Sequence, residues 1–181
     1  AEDIKKRLEI PSIELTRLYQ IDKIKRQYEL FAAALGIKID DQKYYDQAKK
    51  AINAFTNAYP STSFAIGECL NADTFELALA LLRYGHQVKE IYGTVTPEKF
   101  VYIKKIAQLS PHTKIYTNLS PTMMYYDCSD SKVEMTIGMD ANYYHPDAVN
   151  VSWNEERQPF GYCGLQHLFE QLKEAMDRRN V

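Results

Sequence analysis

From Ser63 onward, short apolar runs alternate with segments whose apolar residues recur every three or four positions, and no other feature of the chain limits its fold so sharply. Strands separated by helices cannot close as tight hairpins. They lie parallel, joined by crossovers, and the helices must cover the sheet. The pattern places strands at 63–67, 87–92, 114–117, 133–138 and 149–152, with helices beginning near Asp73, Pro97, Pro121 and Tyr162. Thr96-Pro97-Glu98 supplies an N-cap residue, a proline at the first helical position and an acid in the first turn; Ser120-Pro121 repeats the first two signals. The expected architecture is a doubly wound α/β domain of flavodoxin or Rossmann type, with a mostly parallel five-stranded sheet. The helix after Asp73 is apolar almost all round, so it should be buried between the sheet and other helices. Only residues 139–148 separate the last two strands, which is short for a crossover.

The first third is helical. Ile21, Ile24, Tyr28, Phe31 and Leu35 form one stripe, closed by Gly36 at a C-cap position, and Tyr45, Ala48, Ile52, Phe55 and Tyr59 form a second that runs to Pro60. Asp40-Asp41 stands where an N-cap and favourable negative charge belong. Residues 1–60 are therefore read as a helical segment leading into or packing on an α/β domain at 61–181. With 181 residues, the chain can bury one substantial core. It begins with Ala1 directly in charged helical sequence, and is expected to be a piece of a longer multidomain polypeptide.

Composition removes several functional classes. A net charge of -2, with lysines and arginines scattered among acids, offers no footprint for nucleic acid. The longest strongly apolar run, Leu77 to Leu82, is far too short to span a bilayer, and no secretory segment is evident, so a cytoplasmic protein is expected. Cys69, Cys128 and Cys163 are odd in number and widely spaced, suggesting neither a disulfide framework nor a self-contained zinc site.

Ligands of open parallel sheets bind beyond the carboxyl ends of the strands, where strand order reverses. For an order 2-1-3-4-5, that rule selects Gly67, Glu68, Cys69 and Asn71 after the first strand and Asn118 after the third. Both loops precede helices, whose free N–H groups favour anions. The first loop holds a carboxylate, a thiol and an amide, but one glycine where a dinucleotide fingerprint needs three. Two readings stand: a ligand or metal contact, or a tight turn at Gly67 with Cys69 as a small, partly buried residue. Gly161 and Tyr162, in Pro159–Gly164, also allow close approach of a ligand or of another backbone at a helix start. His86, His112, His145 and His167 lack metal-ligand spacing and are read as surface or loop residues. The pairs Tyr44-Tyr45, Tyr125-Tyr126 and Tyr143-Tyr144 could form a stacking surface or lie as amphipathic rings at a core edge or a subunit interface, and the interface is the preferred reading. An FMN-binding flavodoxin is disfavoured because the first loop lacks a hydroxyl-rich phosphate cradle.

In order along the chain come a helix ending Ile106-Ala107-Gln108-Leu109-Ser110-Pro111, a strand Lys114-Ile115-Tyr116-Thr117, a strand Met135-Thr136-Ile137-Gly138, and Gly161-Tyr162-Cys163-Gly164-Leu165 opening the last helix. Upstream stand Ala65-Ile66-Gly67, Leu82-Arg83-Tyr84-Gly85-His86-Gln87-Val88 and the entering segment Ile10-Pro11-Ser12-Ile13-Glu14-Leu15-Thr16. Taken together, these resemble the C-terminal domain of the nitrogenase component 1 type oxidoreductases, which include the molybdenum-iron protein subunits. The resemblance covers nearly the whole chain.

It implies an oxidoreductase subunit, working in an oligomer, that contributes to an iron-sulfur or related metal-cluster site between domains. The implied partners are a sister subunit or second copy and an ATP-driven iron-sulfur reductase. Members that bind the iron-molybdenum cofactor carry a histidine immediately before the glycine that opens the terminal segment. Here that position is Phe160, whose phenyl ring cannot ligate a metal. The cluster cysteines of the family lie mainly in another domain, so no cofactor and no activity are expected of the isolated chain, and dinitrogen reduction is doubtful. A non-catalytic binding or cofactor-assembly module of the same fold is the alternative.

Overall fold

The computed structural model describes residue 7 and residues 13–117, 119–128 and 131–179. Two amphipathic helices come first, α1 (Ile21–Leu35) and α2 (Gln42–Ala58). The α/β part then runs β1 (Ser63–Ile66), α3 (Thr74–Arg83), β2 (Gln87–Tyr92), α4 (Phe100–Leu109), β3 (Lys114–Tyr116), β4 (Met135–Ile137), α5 (Met139–Tyr144), β5 (Val149–Val151) and α6 (Gly161–Arg179). All four strand pairings are parallel. This is the doubly wound α/β fold expected from the alternation.

The strand order is 3-2-1-4-5, not 2-1-3-4-5. β3 is thus an edge strand, and its carboxyl end lies away from the reversal point. Asn118 itself falls outside the described residues. The reversal lies between β1 and β4, because the chain steps through β2 to β3 on one side and through β5 on the other.

Local chemistry explains two of the helix ends. The Asp73 carboxylate accepts from the N–H groups of Phe75 and Glu76, and Gly36 closes α1 at φ 65°. Asp41 occupies the N-cap position of α2 but makes no side-chain capping bond; its carboxylate accepts from the Tyr162 hydroxyl at 2.8 Å. The helix expected at Pro121 is a short 3₁₀ turn, Pro121–Tyr125.

One face of the sheet carries the main core. Phe64 and Ile66 of β1, Val88 and Ile91 of β2, and Met135 and Ile137 of β4 meet Leu77, Leu79 and Leu81 of α3 and Leu165, Leu168 and Leu172 of α6. Helix α3 is buried from Thr74 to Leu81, as its all-round apolar character requires. Ile24, Ala48, Ile52 and Phe55 of α1 and α2 belong to the same core. A buried carboxylate also ties the entering segment to the domain: Glu76 accepts from the backbone N–H of Tyr19 at 2.8 Å, from that of Gln20 at 3.2 Å and from the Gln20 side chain at 2.9 Å.

The opposite face has a small cluster built on Ala65, Tyr92, Met123 and Ala141. A bulge makes this division. Phe64 pairs with Val88 but Ala65 pairs with Glu90, so Lys89 has no partner on β1. Beyond it the alternation is shifted by one residue, turning Ile91 into the main core and Glu90 and Tyr92 to the other face.

Candidate functional site

The crevice at the reversal point is formed by the loop after β1 and the turn from β4 into α5. Gly67 donates its N–H to Ile137 at 2.7 Å, and Gly138 donates to Val151 at 3.0 Å, so the sheet pairing continues into both turns. The two glycines face each other. A Cβ on Gly138 would lie 3.2 Å from Gly67 Cα, and one on Gly67 would lie 1.9 Å from Asp140 Oδ1. A side chain at Gly67 therefore cannot coexist with Asp140 where it stands.

Asp140 is the centre of this arrangement. Its carboxylate accepts from the backbone N–H of Glu68 at 2.7 Å and from that of Cys69 at 3.1 Å. The loop N–H groups expected to favour an anionic ligand are thus engaged by an internal anion. Glu68 reaches across to the loop after β2, accepting from Thr94 N–H at 2.9 Å and from Thr94 Oγ1 at 3.2 Å. Thr74 Oγ1 donates to the Gly67 carbonyl at 2.9 Å. The result is a closely tied loop with an exposed thiol on it. Asp140, burial and Glu68 push the Cys69 thiol above its ordinary value, so it stays protonated at neutral pH.

The remaining predicted residues separate. Asn71 is a structural tie: its amide donates to the Glu155 carbonyl at 2.9 Å and its N–H to the Trp153 carbonyl at 2.9 Å. Gly161 and Tyr162 sit against α1 and α2. The Tyr28 hydroxyl lies where a Gly161 side chain would be, and the Tyr162 ring packs edge-on against Tyr28 and Tyr45. Gly67, Glu68 and Cys69 are therefore the predicted residues that share one place.

A second polar constellation lies on the thin face and was not anticipated. Glu90, 0% exposed, accepts from the Tyr92 and Tyr126 hydroxyls at 2.5 Å each and from His145 Nε2 at 2.7 Å. Burial alone would raise the Glu90 carboxyl, but bonds from His145, Ser131, Tyr126 and Tyr92 outweigh it and hold it at about 2. Burial and donation to this carboxylate push the Tyr92 and Tyr126 phenols well above their usual range. The Tyr92 ring stacks between Tyr116 at 5.6 Å and Tyr144 at 4.6 Å. The adjacent charges Lys89-Glu90 inside an apolar run were the available signal: a regular strand sends neighbouring side chains to opposite faces, so with both faces covered at least one of the two charges calls for a partner or a bulge.

Two expectations are corrected here. His86 and His145 stand in connecting segments, as a loop reading allows, but they are buried there and not on the surface. His86 packs against Phe55 and Phe64, and burial depresses its imidazole to about 4. The tyrosine pairs also divide: Tyr126 and Tyr144 join the internal aromatic cluster and Tyr45 packs on the main core, whereas Tyr44, Tyr125 and Tyr143 are exposed. Adjacent residues of a short helix or turn point different ways, so no pair acts as a unit.

Fold and crevice together define a doubly wound α/β domain whose reversal point is closed by its own carboxylate. Among solved structures, the chain is similar to nitrogenase Cp1 at pH 6.5, with a TM-score of 0.73 and 13% identity, over 99% of this chain and 43% of that one. At that identity the likeness is one of fold, and this chain spans less than half the length of the structure it matches. No family model and no curated protein matches the sequence.

The donor set does not fit a cluster held by this chain alone. Among the described residues, no group of three or more His, Cys, Asp or Glu side chains could hold a metal ion. Cys128 Sγ donates to the Tyr144 carbonyl, and Cys163 lies in the first turn of α6, so the three thiols occupy different settings. Among the described residues, no helix is long and apolar enough to cross a membrane.

Proposed function

We propose that this chain is one domain of a nitrogenase-like electron-transfer reductase, and that it lends the rim of its reversal-point crevice to a metal-cluster or cofactor site shared with other domains. The observation that carries the reading is the pair of opposed glycines beside the exposed Cys69, on a loop tied down at Glu68, Asp140 and Thr74. The glycines let the two turns and Asp140 pack against one another, which fixes the rim and leaves the Cys69 thiol as the group it presents outward. The fold likeness to a nitrogenase chain supports this setting. In this role the domain supplies position and a fixed negative field, while the redox chemistry belongs to the metal centre. A sister subunit and an ATP-driven iron-sulfur donor are the corresponding partners.

A second reading has its own support. The Cys69 thiol is protonated, the Glu68 and Cys69 N–H groups are engaged by Asp140, and Asn71 is spent on the 153–155 loop. These features suit a binding or cofactor-assembly module with no chemistry of its own. The two readings part in one experiment. The complete polypeptide, purified anaerobically, should contain iron and show cluster absorption, and Cys69→Ala or Glu68→Gln should lower reductase activity severalfold. Absence of iron and of cluster absorption would sink the reductase reading, and an iron-loaded protein whose activity ignores both substitutions would favour the assembly module.

A further inference from the structure

Where the connection between α1 and α2 meets the first turn of α6, the surface opens into a cleft of about 400 Å³. Four aromatic rings, Tyr28, Phe31, Tyr44 and Tyr162, and two carboxylates, Asp40 and Asp41, line it. No lysine, arginine or histidine is among its lining residues. The volume suits a small molecule, not a peptide.

The aromatic wall is held in place before any ligand arrives. Tyr162 is 2% exposed and its hydroxyl donates to Asp41 Oδ2 at 2.8 Å. Tyr28 packs edge-on against it with ring centroids 5.2 Å apart, and its oxygen accepts the Tyr162 backbone N–H. That contact exists because residue 161 is glycine at φ 61°, since a Cβ there would lie 1.9 Å from the Tyr28 oxygen. The neighbouring ring already attracts cations: Tyr45, 5.8 Å from Tyr162, has Lys25 Nζ at 5.3 Å and Lys49 Nζ at 6.0 Å from its centroid.

Chemistry then selects the ligand. An anion would face two carboxylates with no basic partner. A neutral apolar molecule would bring low dielectric to those carboxylates with no charge to offset the lost hydration. A divalent metal needs six or more oxygens, which mostly apolar walls do not offer. A primary ammonium is strongly hydrated and resists burial against rings, whereas a methylated one is weakly hydrated and suits a lining that combines aromatic rings with carboxylates. We propose that this cleft is a binding site for a small methylated or quaternary ammonium ion. The site stands apart from the reversal-point crevice and does not rest on the function proposed for it.

The test is a titration of the whole chain with choline, followed through the tyrosine ring resonances by NMR, beside its uncharged isostere in which a quaternary carbon replaces the nitrogen. Choline should shift the Tyr44 and Tyr162 rings saturably, and the isostere should bind about tenfold more weakly. Tyr44 is 48% exposed, so its replacement does not threaten the core. Tyr44→Leu keeps apolar area but removes the ring face, and should weaken choline about tenfold while leaving the isostere unchanged. Asp40→Asn should weaken choline by roughly threefold and flatten its salt dependence. Equal affinity for the two probes, absence of saturable shifts at these rings, or unchanged choline binding by Tyr44→Leu would each overturn the proposal.

Discussion

The two faces of the sheet are built on opposite principles. One is covered by long helices and filled with aliphatic and aromatic side chains, among them Phe55, Phe64 and Phe169 at 0–1% exposure. The other is covered by the six-residue α5 and a five-residue 3₁₀ turn, and its centre is a carboxylate held by two phenols and an imidazole. The thick face draws its stability from apolar area removed from water. The thin face has little such area, so its hydrogen-bonded network must specify how short elements sit on the strands. A charged group so placed tolerates burial only while all its partners remain.

That contrast should break most violently on the thick side. Phe55 touches Tyr59, Phe64, His86 and Phe169, and Phe55→Ala should cost about 3–5 kcal/mol in urea unfolding. Acid separates the faces next. The folded Glu90 carboxyl lies at about 2 against an ordinary 4.5, so its contribution is whole above pH 4.5 and is lost as pH falls toward 2. His86 is depressed to about 4 from 6.5, so the unfolded chain takes up its proton first and stability falls between pH 6.5 and 4. Each effect is on the order of 3 kcal/mol. Glu76, raised by burial, acts in the opposite direction, so the two windows are best isolated by substitution. His86→Leu should flatten the upper window and Glu90→Gln the lower, measured as unfolding free energy against pH; if His86→Leu leaves the slope above pH 4.5 unchanged, the assignment fails.

Smaller effects sharpen the same contrast. Where the reversal-point loop meets α5, Gly67→Ala should destabilise by about 1–3 kcal/mol, and pairing it with Asp140→Gly should recover part of that loss. Additive penalties in that cycle would mean the two positions do not share space. On the outer surface of the thin face, Tyr125 is 85% exposed, and Tyr125→Ser should move the unfolding midpoint by no more than about 0.5 kcal/mol in stability terms.

The thick face was largely readable from the chain because its signals are local. The stripe Leu165, Leu168, Phe169, Leu172 and Met176 marks one side of a helix, and all five are buried. Asp73 announces its helix by chemistry that acts within three residues. Strand order is different: it is decided by which edges pair across long stretches of chain, and nothing near Lys114 distinguishes an edge strand from a central one. The thin face was hidden for the same reason. Glu90, Tyr126, Ser131 and His145 are separated by up to 55 residues, and each looks like a surface residue alone. At the crevice, Gly67, Glu68 and Cys69 followed from the loop rule, while Asp140 lies in the first turn of α5, after a strand that the assumed order placed elsewhere.

The unpaired Lys89 on β2 has a consequence for how this chain can change. Were Lys89 paired with Ala65 in regular register, Glu90 would swing into the aliphatic layer while Ile91 moved to the phenols, because each step along a strand reverses side. Many single replacements at that position leave this arrangement intact, and loss of that one codon would remove the bulge while leaving Glu90 and Ile91 in plain alternation after Val88, on the faces they already occupy. The strand thus carries a frame as well as a composition, and the bulge gives that frame one residue of slack.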